Sequence, residues 1–292
     1  MLESVIGPTS HTFYSQRLKL HFVDWGNHHK PLLVLIHGTR DHCRNWDWVA
    51  MDLRSHFHIV APDLRGHGDS DWAIGGSYAM VDYVLDVSQL MSAITNEPAT
   101  IIGHSLGASI ALQYTGVYPD RVRRVVAIEG LGPPPEMIRE TPAHQRMRDW
   151  IGGMKALARR KARNYRSIEE AFARMREANP HLSEEQARHL TTWGVRRNED
   201  GTYSWKFDNY TRATSPYLFN LRDAGEIWSR IQCPALLVRG DESWTVAWEK
   251  DGRLENFRSA EVVTIKRAGH WVHHDQPDEF LAVLRPFLRG EG

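Results

Sequence analysis

The 292-residue sequence predicts an α/β fold, a mostly parallel central sheet with helices on both faces. Three observations carry that expectation. Short apolar runs of strand length alternate with longer segments whose apolar positions recur at helical spacing. Several runs stop at glycine-containing turns, as at Ile36-His37-Gly38 and Arg239-Gly240. One run, Ala99-Thr100-Ile101-Ile102, leads into Gly103-His104-Ser105-Leu106-Gly107 and then into small, helix-compatible residues. That strand, turn and helix order is the arrangement that exposes one serine hydroxyl above a sheet.

In chain order, residues 17–24 and 32–36 form the first strand-like runs, the second ending at His37-Gly38-Thr39. A third, His58-Ile59-Val60-Ala61-Pro62, ends at Asp63-Leu64-Arg65-Gly66-His67-Gly68-Asp69-Ser70. Residues 78–94 carry apolar positions at helical spacing, and the strand before Ser105 follows. Residues 121–128, 235–239 and 261–265 read as further strands. In such sheets ligands sit at the carboxyl ends of the strands.

Residues 131–232 break this rhythm. They read as helices, with capping-box spacing at Ser167-Ile168-Glu169-Glu170 and Ser183-Glu184-Glu185-Gln186. Asp200-Gly201, between the alternating stretches around Val195 and Trp205, marks a short hairpin. The expected organisation is a core of residues 1–130 and 233–292 with an inserted, mainly helical cap over 131–232. Between Arg139 and Arg197, 14 lysines and arginines outnumber 7 acids. A solvated helix face is the simpler reading of that excess, and anion recognition is the alternative.

Thirty-six basic residues balance 36 acidic ones, so no global field favours nucleic acid or an anionic membrane, and a small molecule is the expected partner. No apolar run approaches a membrane span, which argues against stable membrane association. The start, Met1-Leu2-Glu3-Ser4-Val5-Ile6-Gly7-Pro8, lacks a basic n-region and a long apolar h-region. With only Cys43 and Cys233, the expectation is a cytoplasmic protein whose cysteines are buried and structural. No feature specifies an oligomer.

A serine hydroxyl is a poor nucleophile at neutral pH, so Ser105 needs a base within hydrogen-bond reach and a carboxylate to orient that base. His270 is the leading base: in Arg267-Ala268-Gly269-His270-Trp271 it follows the last strand, where a glycine loop can swing it over the sheet edge. His28-His29 and His273-His274 lack cysteines or carboxylates at ligand spacing, so they read as solvent-facing or capping residues, with no metal and no other cofactor expected. His104 is expected to shape the turn, since its side chain points away from that of Ser105.

Together, His37-Gly38, the Asp63 to Ser70 turn, the segment around Ser105, the Gly240 strand end and Ala268-Gly269-His270 make the chain resemble the α/β-hydrolase fold superfamily along nearly its whole length. The resemblance implies a nucleophile, acid and base in that chain order, and an oxyanion hole built from two backbone N–H groups, here those of Leu106 and Thr39. It also implies that Arg65 and His67 hold their loop rather than touch substrate. After the penultimate strand the family usually carries Gly-x-x-Asp with a catalytic aspartate, but this chain reads Gly240-Asp241-Glu242-Ser243-Trp244. Serine occupies the acid's place. Glu129 is the favoured acid, because it ends the strand one beyond the nucleophile's, where some relatives, including certain haloalkane dehalogenases, carry theirs. Asp241 is the alternative, and Glu242 a further one.

These residues point to a serine hydrolase acting on carboxylic esters through an acyl-enzyme on Ser105. A serine nucleophile argues against dehalogenase and epoxide hydrolase chemistry, which needs a carboxylate there. Carbon–carbon bond hydrolases and lactonases share the same site, and a hydrolase-like receptor with little turnover is the non-enzymatic alternative. The pocket candidates are His104, Trp46, Trp150, Trp193, Trp244 and Trp271, with only one or two of the tryptophans expected to line it.

Overall fold

The structure, a computed structural model, describes residues 7–290 except 136, 137, 139, 140, 214, 218, 246 and 247. Its strands are β1 (Thr9–Ser15), β2 (Leu18–Asp24), β3 (Leu32–Ile36), β4 (His58–Pro62), β5 (Ala99–His104), β6 (Val122–Ile128), β7 (Val195–Arg197), β8 (Tyr203–Trp205), β9 (Ala235–Gly240) and β10 (Ala260–Ile265). The helices are α1 (Asp47–Leu53), α2 (Met80–Ile94), α3 (Leu106–Val117), α4 (Ala143–Arg159), α5 (Ile168–Ala178), α6 (Glu184–Gly194), α7 (Leu221–Trp228), α8 (Val272–Asp275) and α9 (Pro277–Arg289). Eight strands form one sheet in the order β1-β2-β4-β3-β5-β6-β9-β10. β2 runs antiparallel to both β1 and β4, and the remaining pairs are parallel.

The continuous apolar runs follow from burial on both faces. Alternate residues of each central strand serve opposite cores. Val34, Ile36, Ile101, Val125, Ala127 and Leu237 pack on one side with residues of α2, α3 and α7. Leu33, Leu35, Ile102, Val126, Leu236 and Val238 pack on the other with residues of α1, α8 and α9. β1 was not expected from sequence, and its pattern explains why. It is an edge strand whose first four residues are exposed, so it carries little apolar signal.

Strand order reverses between β3 and β5, since β4 lies on the far side of β3. The crevice outside the carboxyl ends of strands flanking such a reversal is where doubly wound sheets bind ligands. Here it receives the loop after β3, with Thr39, and the turn after β5, with Ser105.

Between β6 and β9 the chain forms α4 to α7 and the β7–β8 hairpin. Arg196 pairs with Ser204 across that hairpin, and Gly201 takes φ 82° in its turn, a conformation open to glycine. Ser183 and Gln186 cap α6 reciprocally, at 3.2 and 2.9 Å. Ser167 caps α5, but Glu170 reaches the N–H of Arg166 instead of Ser167. The segment is tied to the core by Tyr78 donating to Asp208 at 2.6 Å, by the Asp208 N–H to the Gly66 carbonyl at 2.8 Å, and by His42 donating to the Leu190 carbonyl at 3.0 Å. Among the described residues no helix is long and apolar enough to cross a membrane.

Candidate active site

Ser105 has φ 53° and ψ −115°, a strained conformation for a residue with a side chain. The turn is held because its N–H donates to the Ile128 carbonyl at 2.7 Å. The flanking glycines are steric requirements. A Cβ on Gly103 would lie 2.2 Å from the Gly107 carbonyl oxygen, and one on Gly107 would lie 2.2 Å from that of Ile36. Leu106 opens α3, so its N–H has no intrahelical acceptor and is free for a ligand oxygen.

Glu129 follows β6 directly and also has a positive φ, 57°, which turns its side chain beneath His270. Its side chain is fully buried, and the carboxylate is held from three directions. Oε1 accepts the Gly240 N–H at 2.7 Å, and Oε2 accepts the hydroxyls of Ser243 at 2.8 Å and Thr245 at 2.7 Å. His270 Nδ1 lies 3.5 Å from Glu129 Oε2, within ion-pair range but without a formed hydrogen bond. Ser243, which stands where the resemblance leads one to expect an acid, thus donates to the glutamate. Asp241 is exposed, with no side-chain partner among the described residues, and Glu242 faces His181 at 3.9 Å.

Histidines support this arrangement from behind. His104 donates Nε2–H to the His270 carbonyl at 2.8 Å, fixing the backbone of that loop. Burial first, and then the neighbouring His270, hold His104 well below the usual imidazole range, so it stays neutral. His37 accepts the Leu64 N–H on Nε2 at 3.0 Å and donates from Nδ1 to the Gly38 carbonyl at 2.7 Å, joining the loops after β3 and β4. Arg65 forms a bidentate pair with Asp86, both contacts 2.6 Å, and so serves its loop. The expectation that His273 and His274 face solvent is overturned. Both are buried on α8 and donate from Nε2 to the single Asn45 Oδ1, at 2.6 and 3.0 Å. Asn45 in turn donates to Asp41, whose carboxyl burial pushes up to about 8.

A cavity of about 950 Å³ opens at the carboxyl ends of the strands and is lined by Thr39, Ser105 and His270 together. Of the aromatic and histidine candidates, His104, Trp244 and Trp271 line it. Trp46 does not: it is fully buried, stacked on His273 at 4.6 Å between ring centres. Trp193 lies outside, under the Arg44 guanidinium at 3.7 Å, and Trp150 on α4 does not reach the wall. Trp72, Trp205 and Phe207 line the cavity without having been expected. Cys43 is buried as expected, whereas Cys233 is only partly so.

Among the described residues two groups have metal-ligand types close together, neither at this cavity. His21, Cys43 and Asp63 are buried, but His21 Nδ1 donates to Asp63 at 2.7 Å while Nε2 meets Ser10 Oγ at 2.7 Å. Both ring nitrogens are therefore engaged within the protein. Asp24, His28 and His58 converge at the opposite end of the sheet from Ser105.

A model of the alpha/beta hydrolase family matches residues 33–283, and the chain belongs to that family. It is 29 % identical over 267 residues to Esterase YbfF of Escherichia coli (strain K12), covering 89 % of this chain and 94 % of that protein. Over 275 residues it is 27 % identical to a serine hydrolase-like protein of Danio rerio, covering 91 % and 83 % respectively. A hypothetical protein of Pseudomonas aeruginosa PAO1 superposes with a TM-score of 0.84 at 26 % identity, covering 96 % of this chain and 98 % of the other.

Proposed function

We propose that the protein is a serine hydrolase that cleaves carboxylic esters of small to medium molecules through an acyl-enzyme on Ser105. In this reading Ser105 Oγ bonds to the ester carbonyl carbon while its proton passes to His270 Nε2. The bond to the alkoxy group breaks, and that proton leaves with the alcohol. Water then adds to the acyl carbon, giving a proton to His270. The Ser105 ester bond breaks, Oγ regains the proton and the carboxylic acid departs. Glu129 orients His270 and stabilises its cation, and the N–H groups of Leu106 and Thr39 hold the developing oxyanion, each worth about 100- to 1000-fold in turnover. Residues 131–232 serve as the cap over this site.

The observation that carries the reading is Glu129. A buried carboxylate 3.5 Å from His270, beside a strained serine on the same cavity, is the constellation acyl transfer requires. The esterase named among the relatives supports the same substrate class. Steady-state hydrolysis of p-nitrophenyl acetate, butyrate and octanoate by wild type and Ser105→Ala tests it. Turnover in wild type that vanishes in the variant supports the proposal, and turnover that survives the substitution contradicts it.

A further inference from the structure

Most of the cations counted between Arg139 and Arg197 are exposed, as a solvated face requires, but one of them, Arg160, lines the cavity together with two arginines from outside that stretch. Arg40, Arg160 and Arg212 reach the wall of the same cavity as Ser105 from three separate places: the loop after β3, the end of α4, and the short turn after β8. None of the three has a side-chain hydrogen bond or ion pair among the described residues. Three other arginines on this wall are engaged, Arg174 with Glu177 at 2.5 Å, Arg196 over the ring of Trp72 at 5.0 Å and Arg163 over that of Tyr165 at 5.1 Å. The acids on the wall are elsewhere occupied, Glu242 facing His181 and Asp275 accepting the Gly269 N–H at 2.8 Å.

Arg40 immediately follows Thr39 and is held at φ 60°, a left-handed conformation that costs a non-glycine residue on the order of 1 kcal/mol or more. Strain therefore aims a guanidinium at the cavity one residue from an oxyanion donor. Partial desolvation first, and then the like charges of nearby Arg40 and Arg160, hold Arg212 below the usual arginine range. A concave cleft with apolar walls, here Trp244, Trp271 and Trp205, concentrates such a field on whatever enters.

Resting on the hydrolase reading above, we propose that Arg40, Arg160 and Arg212 form an anion subsite. The substrate is then an ester or thioester carrying a carboxylate or phosphate away from the carbonyl that Ser105 attacks. The tryptophan walls hold the uncharged part of the molecule, and the guanidiniums donate to its charged end in the bidentate manner suited to either anion.

Two matched pairs test this. p-Nitrophenyl hydrogen glutarate is compared with its methyl-capped diester, and acetyl-coenzyme A with the neutral thioester S-acetyl-N-acetylcysteamine. The expected result is a kcat/KM ratio, charged over neutral, of about tenfold or more in one pair, shrinking as salt rises. Arg212→Gln should lower that ratio by about fivefold. Arg285→Gln removes the same charge from a remote ion pair with Asp52 and should leave the ratio where it was. A preference in the first pair places the anion on the acyl group, and one in the second places it on the leaving group. Ratios near one in both pairs, or equal effects of the two arginine variants, overturn the subsite while leaving the hydrolase reading intact. Should none of the four compounds be turned over, calorimetric binding of glutarate and of coenzyme A decides. Binding weakened by Arg212→Gln supports the subsite alone, and binding indifferent to it, or none, overturns it.

Discussion

Replacing Glu129 by glutamine removes one charge from the centre of the site and little else. The amide keeps an oxygen to accept the Gly240 N–H, and the hydroxyls of Ser243 and Thr245, now donors to Oε2, can rotate to accept from the new NH2. Folding stability should change by about 1 kcal/mol or less. Catalysis should change far more. A full charge 3.5 Å from the His270 cation is worth about 5 kcal/mol at an effective dielectric of about 20. That corresponds to about three to four decades in rate. Because the His270 side chain is 22 % exposed, the lower figure, about 1000-fold, is the one expected. The assay is kcat on p-nitrophenyl butyrate for Glu129→Gln beside Asp241→Asn, with thermal melting of both to confirm folding. Asp241→Asn should stay within about threefold of wild type, since its side chain is exposed and unpartnered. A loss below about tenfold for Glu129→Gln, or an equal loss for Asp241→Asn, would refute the assignment of the acid.

Two further outcomes concern the buried polar network. Asn45→Leu removes the shared acceptor of His273 and His274 and should cost about 2 to 4 kcal/mol by urea denaturation, because two buried donors lose their partner; an unchanged midpoint would show that they find another. Acid should also weaken the fold. Burial holds His37 and His274 down to about 3 and His67 down to about 4, so the unfolded chain binds protons below pH 6.5 that the folded chain refuses, and stability falls as pH falls from there. Asp41, raised to about 8, has the opposite sign and offsets one histidine. From pH 6.5 to pH 5 the net loss over these four groups should be about 3 kcal/mol, and urea melts that superpose at the two pH values would contradict it.

The parts legible in the sequence share a physical reason. Runs such as Leu32–Ile36 and Val125-Val126-Ala127-Ile128 are apolar without interruption because both of their faces are covered, and the glycines around Ser105 sit where any Cβ would meet a carbonyl oxygen. Glu129 was readable as a charge at the end of such a run, where a buried carboxylate must find partners. What escaped was decided by tertiary neighbours. Trp46 and Trp205 look alike in sequence, yet one fills the core and the other lines the cavity. His273 and His274 resemble a surface pair until Asn45, more than 200 residues earlier, supplies their common acceptor. The three arginines of the proposed anion subsite come from positions 40, 160 and 212, a separation no local pattern encodes.

The central claim is that Ser105 is the nucleophile, and covalent labelling tests it without knowledge of the substrate. A fluorophosphonate probe, which transfers its phosphonyl group only to an activated hydroxyl, is incubated with the folded protein, and the modified peptide is located by mass spectrometry. The account expects one adduct per chain, on Ser105, absent from Ser105→Ala and strongly slowed in His270→Ala. An unlabelled wild type, or label on another residue that persists in Ser105→Ala, would contradict it.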